Sequence, residues 1–373
     1  MATTEAAVES PAARVERFDT IVIGGGQAGL SLGYYLKEHG RRFVILDANE
    51  QIGGSWRTRT WASLRLFTPA RYDGLPGWPF PAPGWSYPTA RETADYLEAY
   101  AARFELPVRT GIRVERLAKD GERYVLECGD SRFEADSVVL ATGFYGTPVV
   151  PEFASELDPR TVQMHSSEYR DPSQLRPGGV LLVGAGNSGA DIAMEVSQTH
   201  RTWLSGRDKG QVPVRIESPL ARLVLPVLWF VASHVLTVRT PLGRKVRPHV
   251  LESGAPRIRV KTDDLVGAGI EQVPKTAGVQ DGRPVLEDGR VLDVANVIWC
   301  TGFRQNFGWI DVPIFENDGS PVHERGVTAE RGLYFVGLDF LYSFASENVG
   351  GVRRDAKHIA KHIAARQVAT LAT

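Results

Sequence analysis

Hydrophobic positions along this chain gather into short unbroken runs that end in glycine. Ile21–Ile23 runs into Gly24, and Leu181–Val183 runs into Gly184. Runs this short and this uniformly apolar predict strands covered on both faces. Beyond each glycine turn the apolar spacing lengthens to a helical period, reaching about His39 in the first case and covering Asn187–Gln198 in the second. Second strands follow at Phe43–Leu46, ending at Asp47, and around Thr202–Leu204, just before Arg207. The same βαβ opening is therefore written twice. The likeness continues downstream: SVVLATG ends at Gly143 and NVIWCTG at Gly302, nearly equidistant from Gly24 and Gly184.

Between these landmarks, Ile112–Leu117 and Tyr124–Cys128 alternate apolar and polar residues, predicting a small antiparallel meander that feeds Ser137–Gly143. Thr89 and Glu92 spell a capping box, TARE, that opens a helix to about Phe104. Pro69–Pro88 is too rich in proline for a helix interior or a central strand and reads as an ordered loop. RGLYFVGLDF and a helix from Gly351 to about Arg366 have no cradle of their own, so they are expected to return and complete the first unit.

One apolar segment stands apart. Leu223–Val238 is uncharged but too short to span a bilayer, and Leu220, Leu223, Val224, Val227, Leu228 and Val231 follow a one-face helical pattern. It reads as a buried or pocket-lining helix. The alternative is weak interfacial membrane contact aided by Arg239, Arg244, Lys245 and Arg247.

Composition narrows the chemistry. A net charge of −1 without a basic run removes the electrostatic footprint that nucleic-acid binding needs. Cys128 and Cys300 are far apart and form no CxxC, and the histidines lack metal-ligand spacing, so neither a dithiol centre nor a metal site is expected. The first residues carry acids and no apolar signal core, which points to a disordered tail over 1–17 and a cytoplasmic protein. Oligomeric state is not encoded in any of these features.

GxGxxG at Gly24, Gly26 and Gly29 lets the backbone approach a pyrophosphate, which the helix N-terminus at Gln27 and Ala28 would bind. Asp47 ends the second strand, where a carboxylate accepts from a ribose diol. The second set, Gly184, Gly186 and Gly189, carries SGR at that station. Arg207, with Ser205 two positions before it, suits the 2′-phosphate of NADPH, although Asp208 is adjacent. Two such units without a dithiol suggest hydride transfer from NADPH to a flavin, which makes the acid-ended cradle the FAD site. The expected organisation is an α/β chain of two Rossmann-like dinucleotide-binding domains in a glutathione-reductase-like arrangement. Residues 18–175 and 303–373 would form the FAD domain, and 176–302 the inserted NADPH domain.

GGGQAGL, the GGSW of Gly53–Trp56, GAGNSGAD of Gly184–Asp191, and the ATG and CTG turns together resemble the flavin-containing monooxygenases, notably the short bacterial members and the plant YUCCA-type enzymes. The resemblance implies a small organic substrate and O2 beside FAD and NADPH. It also implies one oxygen atom inserted through a C4a-(hydro)peroxyflavin that retained NADP⁺ caps, by N- or S-oxygenation or by oxidation of a carbonyl or 2-oxo acid. The alternatives are an NADPH-dependent flavin oxidase or reductase without organic oxygenation, or a non-catalytic flavoprotein. Carried over by position, Gly54, Ser55 and Trp56 approach the flavin, Val114 meets the adenine, and Thr142, Gly143 and Gly337 border the same cofactor. Asn187 and Ser188 lie where nicotinamide and flavin meet. The family's FxGxxxHxxxY survives only as His165 and Tyr169, and its flavin-facing Asn falls on Phe67 or Thr68. Glu347 and Asn348 precede the last helix. They either touch substrate or flavin, or serve that helix as ordinary capping residues.

Overall fold

The computed structural model describes residues 15–143, 146–253 and 255–371. The chain folds as an α/β protein around two principal sheets. The larger has ten strands, and its main path runs Ile310–Asp311, Arg116–Asp120, Arg123–Cys128, Ser131–Leu140, Val15–Ile23, Phe43–Leu46, Val108–Arg109. Its centre is parallel, with Ile21 opposite both Val44 and Val138. Phe43–Leu46 is buried at every position, as a strand covered on both faces requires. One cover is the helix Gln27–Glu38, whose Leu30, Leu32 and Leu36 share a core with Ile359, Ala360 and Ile363 of the last helix, Arg353–Leu371. Leu333–Phe335 adds in parallel to Ser131–Leu140, so the chain rejoins the first sheet after completing the second.

The second sheet is wholly parallel, in the order Glu271–Val273, Thr202–Ser205, Val180–Val183, Asn296–Trp299, Val162–His165. Its last strand comes from before residue 176, because Met164 pairs with Ile298. The sheet therefore draws on the segment that the sequence places in the first unit. The first strand begins at Val15, opposite Arg132, which removes 15–17 from the expected tail. The rest of that tail lies outside the described residues.

The helix Ala90–Arg103 opens with both hydrogen bonds of the Thr89–Glu92 capping box. The meander is present, but its first strand starts at Arg116 rather than Ile112. The amides of Gly111 and Ile112 donate instead to the carbonyls of Asn49 and Asp47, leaving Val114 in an extended connection.

The Pro-rich loop and the segments that flank it join the two units. Trp61, Leu64 and Ala90 pack into the core of the second sheet, while Trp56 touches both cores. Tyr87 donates its hydroxyl proton to the Ile216 carbonyl, and the Arg259 guanidinium donates to the Leu66 carbonyl at 2.8 Å.

The apolar segment departs from expectation. It is a helix over Ala221–Phe230 followed by a π turn over Val231–Val235, but its apolar face is exposed rather than buried. Only the opposite side is packed: Ala221 is buried and Trp229 stacks on Tyr72 at 4.9 Å. No helix among the described residues is long and apolar enough to cross a membrane.

Candidate active site

The two glycine turns share one geometry. Gly24 has φ +114° and Gly184 φ +115°, and a Cβ at either would stand 2.3 or 2.2 Å from the carbonyl oxygen of Ala141 or Cys300. A Cβ at Gly29 or Gly189 would stand 1.9 Å from the carbonyl of Gly24 or Gly184. These four positions need glycine for the backbone alone. Gly26 and Gly186 differ, because a Cβ there meets nothing within 4 Å. They are the N-caps of the two helices, and among the described residues neither is capped by a side chain, so the first-turn amides of Gln27 and Ala28, and of Asn187 and Ser188, are left for a ligand to satisfy. Each turn thus offers the contour and donors of a pyrophosphate site, and the residues present fit a dinucleotide twice.

In the first cradle, Asp47 accepts from the Gly25 amide at 2.6 Å and from the Asn49 backbone and side-chain amides, both at 2.7 Å. That occupies three of about four lone-pair positions of a carboxylate and leaves one for a sugar hydroxyl. The Val114 amide has no backbone partner among the described residues, though Ile112 and Glu115 beside it do. Gly54 packs under Asn49, and a Cβ on Gly337 would come within 2.7 Å of the Ala28 Cβ. Ser55 and Trp56 are half-buried, Thr142 is exposed, and Gly143 has φ +70°. The ATG and CTG turns are laced together: Thr147–Pro148 pairs with Phe303–Arg304, and the Gln305 amide donates to the Gly143 carbonyl at 3.0 Å.

His165 serves this junction structurally, and Tyr169 is tied to the helix of the second cradle. His165 Nε2 lies 3.0 Å from the Gly302 carbonyl and Nδ1 lies 2.9 Å from Ser167, and burial lowers the imidazole's pKa below its usual range. Tyr169 donates to Glu195 at 3.0 Å.

In the second cradle Arg207 is exposed and has no ion-pair partner among the described residues. Asp208 is instead held by the buried Arg257 at 3.2 Å and by the Gly210 amide at 2.9 Å. Ser205 corrects the sequence reading. It is fully buried, and its hydroxyl is occupied by the Thr276 amide, the Thr276 hydroxyl and the Pro274 carbonyl, so it cannot reach a nucleotide. Asn187 is likewise committed: Nδ2 donates to the Pro256 carbonyl at 3.1 Å, and Oδ1 accepts from the Ile258 amide at 2.8 Å. It straps the cradle helix to the Arg257 segment. Ser188, in the first turn, is half-buried.

Where the substrate side would lie, distant segments converge. The loop through Phe67 and Tyr72 meets the turn before the last helix, since a Cβ on Gly350 would touch the Tyr72 carbonyl at 1.8 Å. Thr68, one of the two residues on which the family's flavin-facing Asn falls, donates its proton to Asp73 at 2.5 Å and so has none to offer a bound molecule. Asp73 is fully buried and is pushed up to about 7 by loss of solvent. The Asn348 side chain makes no hydrogen bond among the described residues, while its carbonyl accepts from Gly351. Glu347, exposed at the surface, shares a hydrogen bond with Asp339, and partial desolvation beside that second carboxyl raises its pKa above the usual carboxylate range. Arg259 lies over the Phe67 ring at 5.9 Å, between Asp191 at 4.0 Å and Glu217 at 3.3 Å.

Asp73, Asp191, Asp339, Arg257 and Arg259 were not singled out by sequence reasoning. Asp191 alone carried a signal, standing inside GAGNSGAD. Cys128 and Cys300 are both raised by burial, to about 11 and about 12, which makes them poor thiolates.

The family of pyridine nucleotide-disulphide oxidoreductases matches residues 21–214. An uncharacterized oxidoreductase, CzcO-like, of Geobacillus kaustophilus is 37% identical over 92% of this chain and 98% of its own. A probable indole-3-pyruvate monooxygenase, YUCCA3 of Arabidopsis thaliana, is 29% identical over 93% of this chain and 86% of its own. The solved flavin-containing monooxygenase from Stenotrophomonas maltophilia superposes with a TM-score of 0.76 at 30% identity, covering 94% of this chain and 99% of that one.

Proposed function

We propose that this chain, which belongs to the pyridine nucleotide-disulphide oxidoreductase family and is a flavoprotein oxidoreductase of the flavin-containing monooxygenase kind, uses FAD, NADPH and O2 to place one oxygen atom on a small organic substrate. One observation carries the reading: two cradles with the same glycine geometry end in opposite charges, Asp47 and Arg207.

FAD would be held by Gly24, Gly26, Gln27, Ala28, Gly29 and Asp47, with Gly54, Ser55, Trp56, Val114, Thr142, Gly143 and Gly337 around it. NADPH would be held by Gly184, Gly186, Ser188, Gly189 and Arg207. When bound, the pair supplies hydride transfer and the activation of dioxygen. The chain's own part is positioning and exclusion of water. Trp56, Trp61, Phe67 and the stacked Tyr72–Trp229 pair would supply apolar walls around a bound substrate, which favour transfer of oxygen to it over loss as hydrogen peroxide. Among the described residues the Asn348 amide is uncommitted and would orient a bound molecule, whereas Asn187 acts through the strap it forms. No paired acid and base is required for oxygen transfer to a soft nitrogen or sulfur. A carbonyl or 2-oxo acid substrate would be placed by the same walls.

Incubation with NADPH, labelled dioxygen and a panel of amines, sulfides, ketones and 2-oxo acids tests the proposal by product mass. A product heavier by one labelled oxygen atom is expected. Peroxide equal to NADPH consumed across the whole panel would replace this reading with that of an NADPH oxidase.

A further inference from the structure

The helix Ala221–Phe230 turns one side inward and leaves the other uncovered. Inward, Trp229 stacks on Tyr72. Downstream, the Val238 amide donates to Tyr342, the Phe344 amide donates to Leu236, and Arg354 donates to the Ser233 carbonyl. The helix is thus anchored, and its outer face is displayed on a fixed support. That face carries Leu220, Leu223, Val227 and Phe230 at steps of three and four, with exposures of 58%, 74%, 60% and 57%. Leu242 and Leu251 of the following helix, Pro241–Ser253, are also about half exposed. Isolated exposed apolar residues are ordinary, but a row of four on one helix face marks an interaction surface.

The charge around the row identifies the partner. Between Glu217 and Glu252 the sequence contains no acidic residue. Within that stretch Arg222, Arg239, Arg244 and Lys245 are exposed, and among the described residues none is paired with a carboxylate. In a chain with net charge −1, the stretch that carries the apolar row therefore also carries four exposed cations and no acid between Glu217 and Glu252.

We infer that the outer face of helix Ala221–Phe230, with the cations that flank it, docks onto an anionic lipid surface. The ten-residue helix is too short to span a bilayer but suited to lie in its interface. A second copy of the chain fits less well, because a two-fold contact sets each surface against itself and would oppose these cations with no acid in the stretch to pair them. An anionic headgroup layer meets both properties at once. The helix whose inner side walls the cleft would then carry its outer side in the membrane.

The test is sedimentation of the FAD-loaded full chain with vesicles of phosphatidylcholine alone and of phosphatidylcholine mixed with phosphatidylglycerol. Binding to the mixed vesicles is expected, with little to phosphatidylcholine alone and a loss at high salt. Leu223→Asp with Phe230→Asp removes binding, and Arg244→Gln with Lys245→Gln weakens it about fivefold per cation. NADPH oxidation in solution and flavin absorbance stay unchanged in both variants, which separates lost docking from lost folding. The inference is overturned by absence of vesicle binding, by binding that survives Leu223→Asp with Phe230→Asp, or by a dimer in light scattering that the same double substitution dissolves.

Discussion

Arg207 is the residue on which nucleotide choice turns, and its replacement by Ala isolates one charge. The guanidinium is exposed and without an ion-pair partner among the described residues, so its removal breaks no internal contact. A charge-assisted hydrogen bond contributes about 1.5–3 kcal/mol, and solvent exposure places this one near the lower limit. The expected cost for NADPH is about 1.5–2 kcal/mol, or roughly tenfold to thirtyfold in KM. NADH lacks the 2′-phosphate and should change by less than about twofold. Asp208 sharpens the test, because it is neutralised by Arg257 at 3.2 Å from beneath the loop. Arg257→Met should release that negative charge beside the phosphate and weaken NADPH further, and adding Asp208→Asn should restore part of the loss. Steady-state kinetics with both nucleotides, together with calorimetric titration of 2′,5′-ADP, give affinities independent of turnover. Equal losses for NADPH and NADH would refute the assignment of Arg207 to the 2′-phosphate.

Other expectations follow from single contacts. Asp73 is raised from an ordinary 3.8 to about 7 by burial, so it folds as the neutral acid; its contribution to stability is full below about pH 4 and is lost as pH rises through about 7. Asp73→Asn, which still accepts from Thr68, should therefore raise Tm at pH 8 and leave it nearly unchanged at pH 4; parallel Tm–pH curves for the two proteins would sink the idea. Gly189→Ala places a methyl 1.9 Å from the Gly184 carbonyl and should yield a yellow protein that NADPH reduces at least tenfold more slowly, whereas Gly29→Ala should purify without flavin. Absorbance spectra and anaerobic reduction rates distinguish these from a shared folding defect. Trp229→Ala removes the ring stacked on Tyr72 at 4.9 Å and should raise the peroxide released per NADPH, with an unchanged ratio counting against a water-excluding wall.

The parts of this fold that sequence revealed are those whose constraints are local. A strand, a glycine turn and a helix must follow one another in sequence to form a cradle, so their residues stand in a fixed register that can be read without coordinates. The capping box at Thr89 is local in the same way. The outer helix misled because periodicity reports that one face is apolar, not what covers it. Ser205 and Asp208 show the same limit at the site itself. Both stand at the nucleotide-reading end of the second strand, yet their partners, Thr276 and Arg257, lie 71 and 49 positions away. Ser205 is drawn inward by its partner and lost to the nucleotide. Asp208 is neutralised by its partner, and this makes an acid tolerable beside a phosphate. The charge of the second cradle is therefore a tertiary property: Arg207 states the preference, and a buried arginine from a distant segment allows it to act.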